Sequence, residues 1–513
     1  MKQQNFCTAA GNDEFAGLLN FISDALYGYT GPGLQRLADD NLKMLVQGGK
    51  WAGVWSQNYF GMCCTTPLLT GKLLDYHLHN YELFFELQGD GKRADDHGYV
   101  APEGALAEYI SLAKGTPMPR YKNDEGCGLA DEFDFWVEGC AASVISTVDC
   151  LLAKRDKEKA VALLPKIRKS VAFLLSRRDE KTGLLKVGPA GILIERAYGA
   201  TFRSKGVADY GLPAGAAVNT VQALRLTAEL ELFAGCSEQA SSYRAAADEL
   251  AEAVKALIEN NEYLINYLDA DGVRHGVQGA EKYGYVEGNA NLDGAAWGVL
   301  PPEVAVKALA KVGEVSPTPL AVSVYPTHDD AHYSYQNDND PAYGGIGCHW
   351  NGSTWYSSQA RYIYGLLRYN CFDAAYAAAD TMRNIYQSGM MRDMMDDYGK
   401  SVQGDYTPEA AGTYYIDGFG ALGGWLRGIF EVRYGADTVA LSPHLPENMS
   451  SYVQNLPYYW GNKELYLKVT GTGSTVTGLQ VNGKDHAAAL NGNLAVIKFD
   501  DLPEKAEIEF IRA

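Results

Sequence analysis

Along most of this chain, apolar residues recur at the spacing of one buried helix face, and the stripes come in pairs. Phe15, Leu18, Leu19, Ile22 and Leu26 form one stripe. Val144, Ile145, Val148, Leu151 and Leu152 form another. After the charged turn Lys154-Arg-Asp-Lys-Glu158, a third runs through Val161, Leu164, Ile167, Val171, Leu174 and Leu175. Val221, Leu224, Ala228 and Leu232 are followed by Tyr243, Ala246, Leu250, Val254 and Leu257. A later pair covers about 353–370 and 372–388, and a last helix covers about 417–431. Steps of three, four and seven set one face of a helix toward a core. Short turns between such helices imply antiparallel hairpins.

Long segments rich in Gly, Tyr and Asp separate the helices, at 88–105, 178–216, 261–294, 316–353 and 389–416. Loops of that length inside a compact domain are usually functional. The pattern changes near Gly435. Thr438-Val-Ala-Leu, Glu464-Leu-Tyr-Leu-Lys-Val-Thr, Thr475-Val-Thr-Gly-Leu-Gln-Val, Leu494-Ala-Val-Ile-Lys-Phe and Ala506-Glu-Ile-Glu-Phe-Ile alternate apolar with polar residues. Asn482-Gly483 is a hairpin signal. The expected fold is mainly α: a toroid of helical hairpins over 1–434, with a small antiparallel β domain over 435–513 packed directly on it.

The chain has 513 residues, with 44 Lys and Arg against 63 Asp and Glu, for a formal charge of −19. That balance argues against nucleic acid, which needs a basic footprint, and against a strongly anionic polysaccharide. No apolar run of about 18 residues offers a membrane span. The segment MKQQNFCTAAGNDEF lacks an apolar signal core, so a cytoplasmic location is expected. Nine scattered cysteines include no CxxC pair, which disfavours both a disulfide framework and a zinc site. Most of them read as small buried apolar residues. No cofactor or metal is expected. The 34 tyrosines and 8 tryptophans suit stacking on sugar C–H faces, although most aromatics serve the core.

Two acidic, aromatic segments lie far apart, each just before a helical run. One is Ser204-Lys-Gly-Val-Ala-Asp209-Tyr-Gly-Leu; the other is Gly404-Asp405-Tyr-Thr-Pro-Glu409-Ala-Ala-Gly412. Glycosidic cleavage needs two carboxylates on opposite faces of one sugar, and a closed toroid of helices can bring distant loops to one pocket. Asp209, among Val207, Ala208, Tyr210 and Leu212, is the candidate acid, because an apolar setting raises a carboxyl pKa. An N-cap or loop hydrogen bond is its bland alternative. Asp405 is the candidate base, with Glu409 in reserve. An Asx-turn ahead of Pro408 is the alternative for Asp405.

Several segments resemble the six-hairpin, (α/α)6-toroid glycosidases, a group that includes glycoside hydrolase family 63, the amylo-α-1,6-glucosidases and the α-L-rhamnosidases. Asp131-Glu-Phe-Asp-Phe-Trp-Val-Glu-Gly139 resembles the acidic, aromatic helix openings of that clan. Asp209-Tyr-Gly followed by Val218-Asn-Thr-Val-Gln-Ala-Leu resembles the stretch that carries the family 63 general acid. His349-Trp-Asn-Gly-Ser-Thr-Trp355 resembles its Trp-x-Gly-x-x-Trp loop. Gly404-Asp-Tyr-Thr-Pro-Glu-Ala-Ala-Gly412, then Phe419 to Trp425, resembles its base segment. Leu441-Ser-Pro-His-Leu-Pro446 resembles the entry to its C-terminal β domain. Where the clan has its base Glu, this sequence has Gly404, with Asp405 one step on. The resemblance implies an inverting exo-glycosidase, with a neutral oligosaccharide or small glycoside as substrate.

The remaining candidates are substrate contacts. Asp131 and Asp134 are three apart and share a helix face, although the helix dipole alone would stabilise Asp131. Asp134 fits a sugar-hydroxyl acceptor, and Trp136 either stacks on sugar or belongs to the core. Tyr210, His349, Trp350 and Trp355 complete the set; the two tryptophans could instead pack at a helix entry. His328, Asp329, Asp330 and His332 invite a metal reading, but a hydrogen-bonded loop or sugar subsite suits them better. Asp269-Ala-Asp-Gly272 reads as a turn. A lyase or epimerase using His349 and Tyr356 stays open, as does a carbohydrate-binding protein without turnover. A phosphorylase would need a basic anion site near the acid.

Overall fold

The computed structural model describes residues 5–28, 33–46, 53–112, 116–122, 134–188, 203–204, 207–208, 210–281, 284–316, 319–321, 354–387, 394–395 and 416–513. Among them are twelve α-helices: α1 (Asp13–Tyr27), α2 (Tyr59–Thr65), α3 (Gly71–Glu86), α4 (Val137–Lys154), α5 (Lys157–Ser176) and α6 (Ala214–Ala234), then α7 (Ser237–Val254), α8 (Gly288–Ala296), α9 (Pro302–Val315), α10 (Tyr356–Arg368), α11 (Phe372–Gln387) and α12 (Ile416–Gly428). None is long and apolar enough to cross a membrane.

The caps explain several boundaries. Asn12 accepts from the Phe15 amide at 3.0 Å to open α1, and Gly28 closes it in the left-handed region. Arg155, also left-handed, ends α4, and Asp156 opens α5 by accepting from the Lys159 amide at 3.0 Å. The charged turn seen in the sequence is therefore two residues of capping.

Odd- and even-numbered helices play different parts. Each even helix packs on the next, from α2 through α4, α6, α8, α10 and α12, and α12 packs back on α2. The odd helices pack on these: α1 on α12, α3 on α4, α5 between α4 and α6, α7 on α6, α9 on α8, and α11 on α10. Burial follows. Every residue of α2 and α8 is buried, and so is all of α4 except Lys154. On α7 only Ala240, Tyr243, Ala247, Leu250 and Val254 are buried, a single stripe. The all-round burial of α2, α4, α8 and α10, and the burial of most of α6, mark the even helices as an inner layer.

Two sheets dominate the C-terminal region. One has four strands, in the order 433–434, 438–441, 494–498, 490–491. The other has seven; its main path runs 7–10, 451–454, 463–470, 505–512, 476–481, 484–485, and 458–460 pairs with 463–470. The N-terminal strand Cys7–Ala10 thus pairs antiparallel with Ser451–Gln454. One expectation is corrected: the sheet is not wholly antiparallel. Lys463–Thr470 runs parallel to Lys505–Arg512. The chain leaves for the four-stranded sheet after 484–485 and returns between 463–470 and 476–481, antiparallel to the latter. The Asn482-Gly483 turn has φ of 49° and 74°, as a two-residue hairpin with both central residues left-handed requires.

This β region caps the C-terminal ends of two inner helices, α4 and α12. The Trp460 indole donates to Leu152 O at 3.2 Å, the Gly461 amide donates to Ala153 O at 2.7 Å, and the Tyr458 hydroxyl donates to Leu426 O. The N-terminal ends of the inner helices are left facing the other way. The long segments that contain 123–133, 189–202, 322–353 and 396–415 lead into α4, α6, α10 and α12 at that end.

Candidate active site

At the N-terminal end of the inner helices, five polar side chains meet out of solvent. The Tyr59 hydroxyl lies 2.5 Å from Asn219 Oδ1 and 2.7 Å from Asp293 Oδ2. Asn219 Nδ2 donates to Glu138 Oε1 and to Asp293 Oδ2, each at 3.0 Å. Arg361 Nε donates to Asp293 Oδ1 at 2.6 Å, and its Nη1 donates to Ser357 O at 2.5 Å. Tyr59, Asn219, Asp293 and Arg361 are fully buried, and Glu138 is 4% exposed. One helix each supplies them: α2, α4, α6, α8 and α10. The cluster therefore joins five of the six inner helices through side chains. Arg361 also lies over the rings of Tyr59 and Phe60, at 5.0 and 5.5 Å.

Electrostatics keep this network charged in a defined way. Burial disfavours the Arg361 cation, yet Asp293 and Tyr59 hold its pKa above the usual value. Burial, then Asp293, pushes the Tyr59 phenol well up, so it stays a donor. Glu287 stands at the N-cap of α8, accepting from the Asn289 and Ala290 amides at 2.8 and 2.7 Å. Burial raises its pKa from 4.5 to about 8, with Glu138 and Asp293 adding to the rise and the two amides opposing it. Beside it, Ser358 donates to Asn289 Oδ1 at 2.7 Å. Asn289 Nδ2 and Arg361 Nη2 are buried donors without an acceptor among the described residues. The arrangement offers a carboxyl held protonated near neutrality, Glu287, and two buried donors without an acceptor among the described residues.

The sequence candidates divide. Asp209, Asp405, Glu409, Asp131, His349 and Trp350 lie outside the described residues, as does the 328–332 cluster. Trp355 closes the short strand Thr354–Trp355, which pairs with Met394–Met395 just before α10. Tyr210 is exposed, lies 5.3 Å below the Arg177 guanidinium, and lines an open groove of about 500 Å3 with Arg177, Arg178 and Lys186.

Asp134 already has several partners. Its carboxylate accepts from Arg177, from the Gly188 amide at 2.8 Å and from the Phe135 amide at 2.8 Å. These bonds tie the start of α4 to Arg177 and Gly188. Trp136 takes the core role of its two readings: it is 2% exposed and donates to Ser56 Oγ at 2.7 Å. Its ring lies over Gly139, where a Cβ would fall 0.9 Å from the indole nitrogen. Asp269 accepts from the Asp271 and Val273 amides at 3.0 and 2.8 Å, which is the turn read from the sequence.

Sequence reasoning passed over Glu287, Asp293 and Arg361. A usable signal was present: Glu287-Gly-Asn-Ala-Asn-Leu-Asp293 begins with an acid at a cap position. Its Asn content masked the helix.

No known family profile matches the sequence, and no curated protein is significantly similar to it. Solved structures are. A rhamnosidase from Klebsiella oxytoca with rhamnose bound superposes with a TM-score of 0.51 at 15% identity, over 83% of this chain and 66% of that one. A GH78 family rhamnosidase of a Bacillus species gives 0.51 at 14%, over 91% and 42%. A GH63 mannosylglycerate hydrolase from Thermus thermophilus, in complex with glucose, gives 0.50 at 15%, over 77% and 97%. The chain has the fold of these glycosidases. It spans less than two thirds of each rhamnosidase and nearly all of the GH63 enzyme. Among the described residues, Cys7, Cys63, Cys64, Cys140 and Cys150 are buried and burial pushes their thiols up, whereas Cys236 and Cys371 are partly exposed.

Proposed function

We propose that this chain is a glycoside hydrolase that cleaves a neutral oligosaccharide or small glycoside, of the α-glucosidase or α-L-rhamnosidase kind, with inversion. The reading treats the inner and outer helices as an (α/α)6 toroid over 1–434 and the rest as a β domain that borrows the strand Cys7–Ala10. Asp209 protonates the leaving oxygen, and Asp405, or Glu409 in its place, deprotonates water on the opposite face. Tyr210, His349, Trp350 and Trp355 contact the sugar.

One observation supports this reading: on a fold shared with glycosidases, the segment bearing Asp209 precedes α6, whose Asn219 belongs to the buried Glu138–Asn219–Asp293–Arg361 network, and the segment bearing Asp405 precedes α12, which packs on two helices of that network, α2 and α10. That network is buried. It holds five helix ends in register, so that loops above it can be presented at fixed positions. A screen of nitrophenyl glycosides and disaccharides tests the proposal. Turnover of at least one supports it. Sugar binding without turnover across the panel would favour a binding protein. An unsaturated product from a uronic-acid polymer would favour a lyase.

A further inference from the structure

The opposite end of the inner layer holds a cavity that the glycosidase reading does not use. It measures about 480 Å3 and lies between the C-terminal halves of α6, α8, α10 and α12 and the strands at 433–440. Five arginines line it, against two carboxylates, in a chain whose overall charge is −19.

The five are not equivalent. Arg427 is satisfied by a two-pronged pair with Asp149, at 2.8 Å on each side, and by Val432 O at 2.8 Å. Arg244 pairs with Glu229 at 2.6 Å. Arg368 donates to Ala296 O at 2.7 Å and lies 3.4 Å from Glu431, and Arg433 lies 3.5 Å from the same Glu431 oxygen. Glu431 also receives His444 at 3.1 Å. Arg225 has no ion pair among the described residues; one of its nitrogens reaches the Trp297 and Gly298 carbonyls at 3.4 Å. A guanidinium carries five N–H donors, so most of those on Arg225 are unused among the described residues. Arg368 and Arg433 act on it as like charges, with Asp248 the opposing carboxylate.

Capping of helix α8 accounts for part of this. Arg368 caps it well, and Gly298, at φ 61°, leaves room: a Cβ there would lie 2.5 Å from the guanidinium. Arg225 caps it poorly, and Arg433 does not cap it. Two guanidiniums, Arg368 and Arg433, share Glu431, which His444 already engages, and Arg225 has no carboxylate at ion-pair distance among the described residues.

The geometry points to a binding site for a small oxyanion-bearing ligand, a phosphate ester by preference, with its oxyanion between Arg225, Arg368 and Arg433. Three guanidiniums match the three free oxygens of a phosphate monoester. The volume accommodates a small metabolite, and the Trp297 edge forms one wall. Trp297 packs tilted against Phe60, 4.5 Å between ring centroids and 44° between planes, and lies between this cavity and the Tyr59–Arg361 network.

Titration calorimetry of the full chain with inorganic phosphate tests this, with acetate as the carboxylate arm and chloride as the ionic-strength control. Saturable one-site binding of phosphate is expected. Arg225→Gln and Arg433→Gln should each weaken it by about tenfold or more, the scale of one charged hydrogen bond. Arg178→Gln, in the open groove beside Tyr210, should leave it unchanged. Arg433 is half exposed and outside the helices, so its variant reads the site even if Arg225→Gln unfolds. No saturable phosphate binding, or parental affinity in both variants, overturns the site. Acetate binding more tightly than phosphate overturns the phosphate preference. None of these readouts depends on glycoside turnover.

Discussion

Arg361 and Asp293 form an ion pair at 2.6 Å with neither side chain exposed. Such a pair stabilises little by itself, because removing two ions from water costs about as much as their attraction returns. Breaking it is different. Arg361→Met leaves the Asp293 charge buried beside Tyr59 and Asn219, and should cost about 3–5 kcal/mol by urea unfolding. Arg361→Met with Asp293→Leu should recover most of that loss; a double variant as unstable as the single one would assign the cost to packing. Glu287 gives a pH signature. Its folded pKa of about 8 exceeds the ordinary 4.5. Between those values the native state keeps a proton that the unfolded state has released, so stability falls as pH rises through that window. The slope approaches ~1.4 kcal/mol per unit. Glu287→Gln keeps the group neutral and should flatten this dependence between about pH 5 and pH 7.5. Equal slopes in parent and variant would show that another group is responsible.

Helix α12 shows how close the inner elements approach. Gly420 faces Gly61 of α2, where an added Cβ would lie 2.6 Å from the Gly61 Cα, and Gly424 faces Ala360 of α10. Gly420→Ala should therefore lower stability by roughly 1–3 kcal/mol through overpacking. Gly17→Ala on α1, exposed and with nothing within 4 Å, should raise it by about 0.5–1 kcal/mol from helix propensity. Melting temperatures moving in the same direction for both would contradict this account of the glycines. The same contrast explains what the sequence revealed. α1, α4, α5, α7, α10 and α11 have one buried stripe or enough apolar residues to show a helical period. α2 and α8 are seven and nine residues long and buried on all sides, so neither presents a polar face for a period to appear. With Asn289, Asn291 and Gly294, α8 reads as loop, and it hid within the segment 261–294. The partners of Asn219 and Arg361 lay on those two helices, so the network could not be assembled from the pattern. The strand at 7–10 was equally obscure: four residues whose partner lies more than 440 positions away.

At the scale of the whole molecule, the two ends of the inner layer are chemically distinct. The C-terminal ends meet the β region and hold arginines, the sign that complements helix carbonyls, whereas the N-terminal ends hold Glu138 and Glu287, the sign that complements helix amides. Acid–base chemistry proposed for the N-terminal end thus has carboxylates already favoured there by the helices beneath. If Asp209 is the acid and Asp405 the base, loss of either carboxylate should lower turnover of a natural glycoside by about 100-fold or more. The two separate with an activated substrate. A nitrophenol leaving group needs little protonation, so Asp209→Asn should keep more activity on a nitrophenyl glycoside than Asp405→Asn. Equal losses on both substrates would argue that neither residue acts as the acid. Glu409→Gln completes the set: if it, rather than Asp405→Asn, abolishes turnover, the base is Glu409. Proton NMR of the first-formed sugar decides the stereochemistry. Inversion requires room for water between the carboxylates, roughly 6.5–9.5 Å, and yields the opposite anomer. A retained anomer would make one carboxylate a nucleophile, with the pair about 5 Å apart.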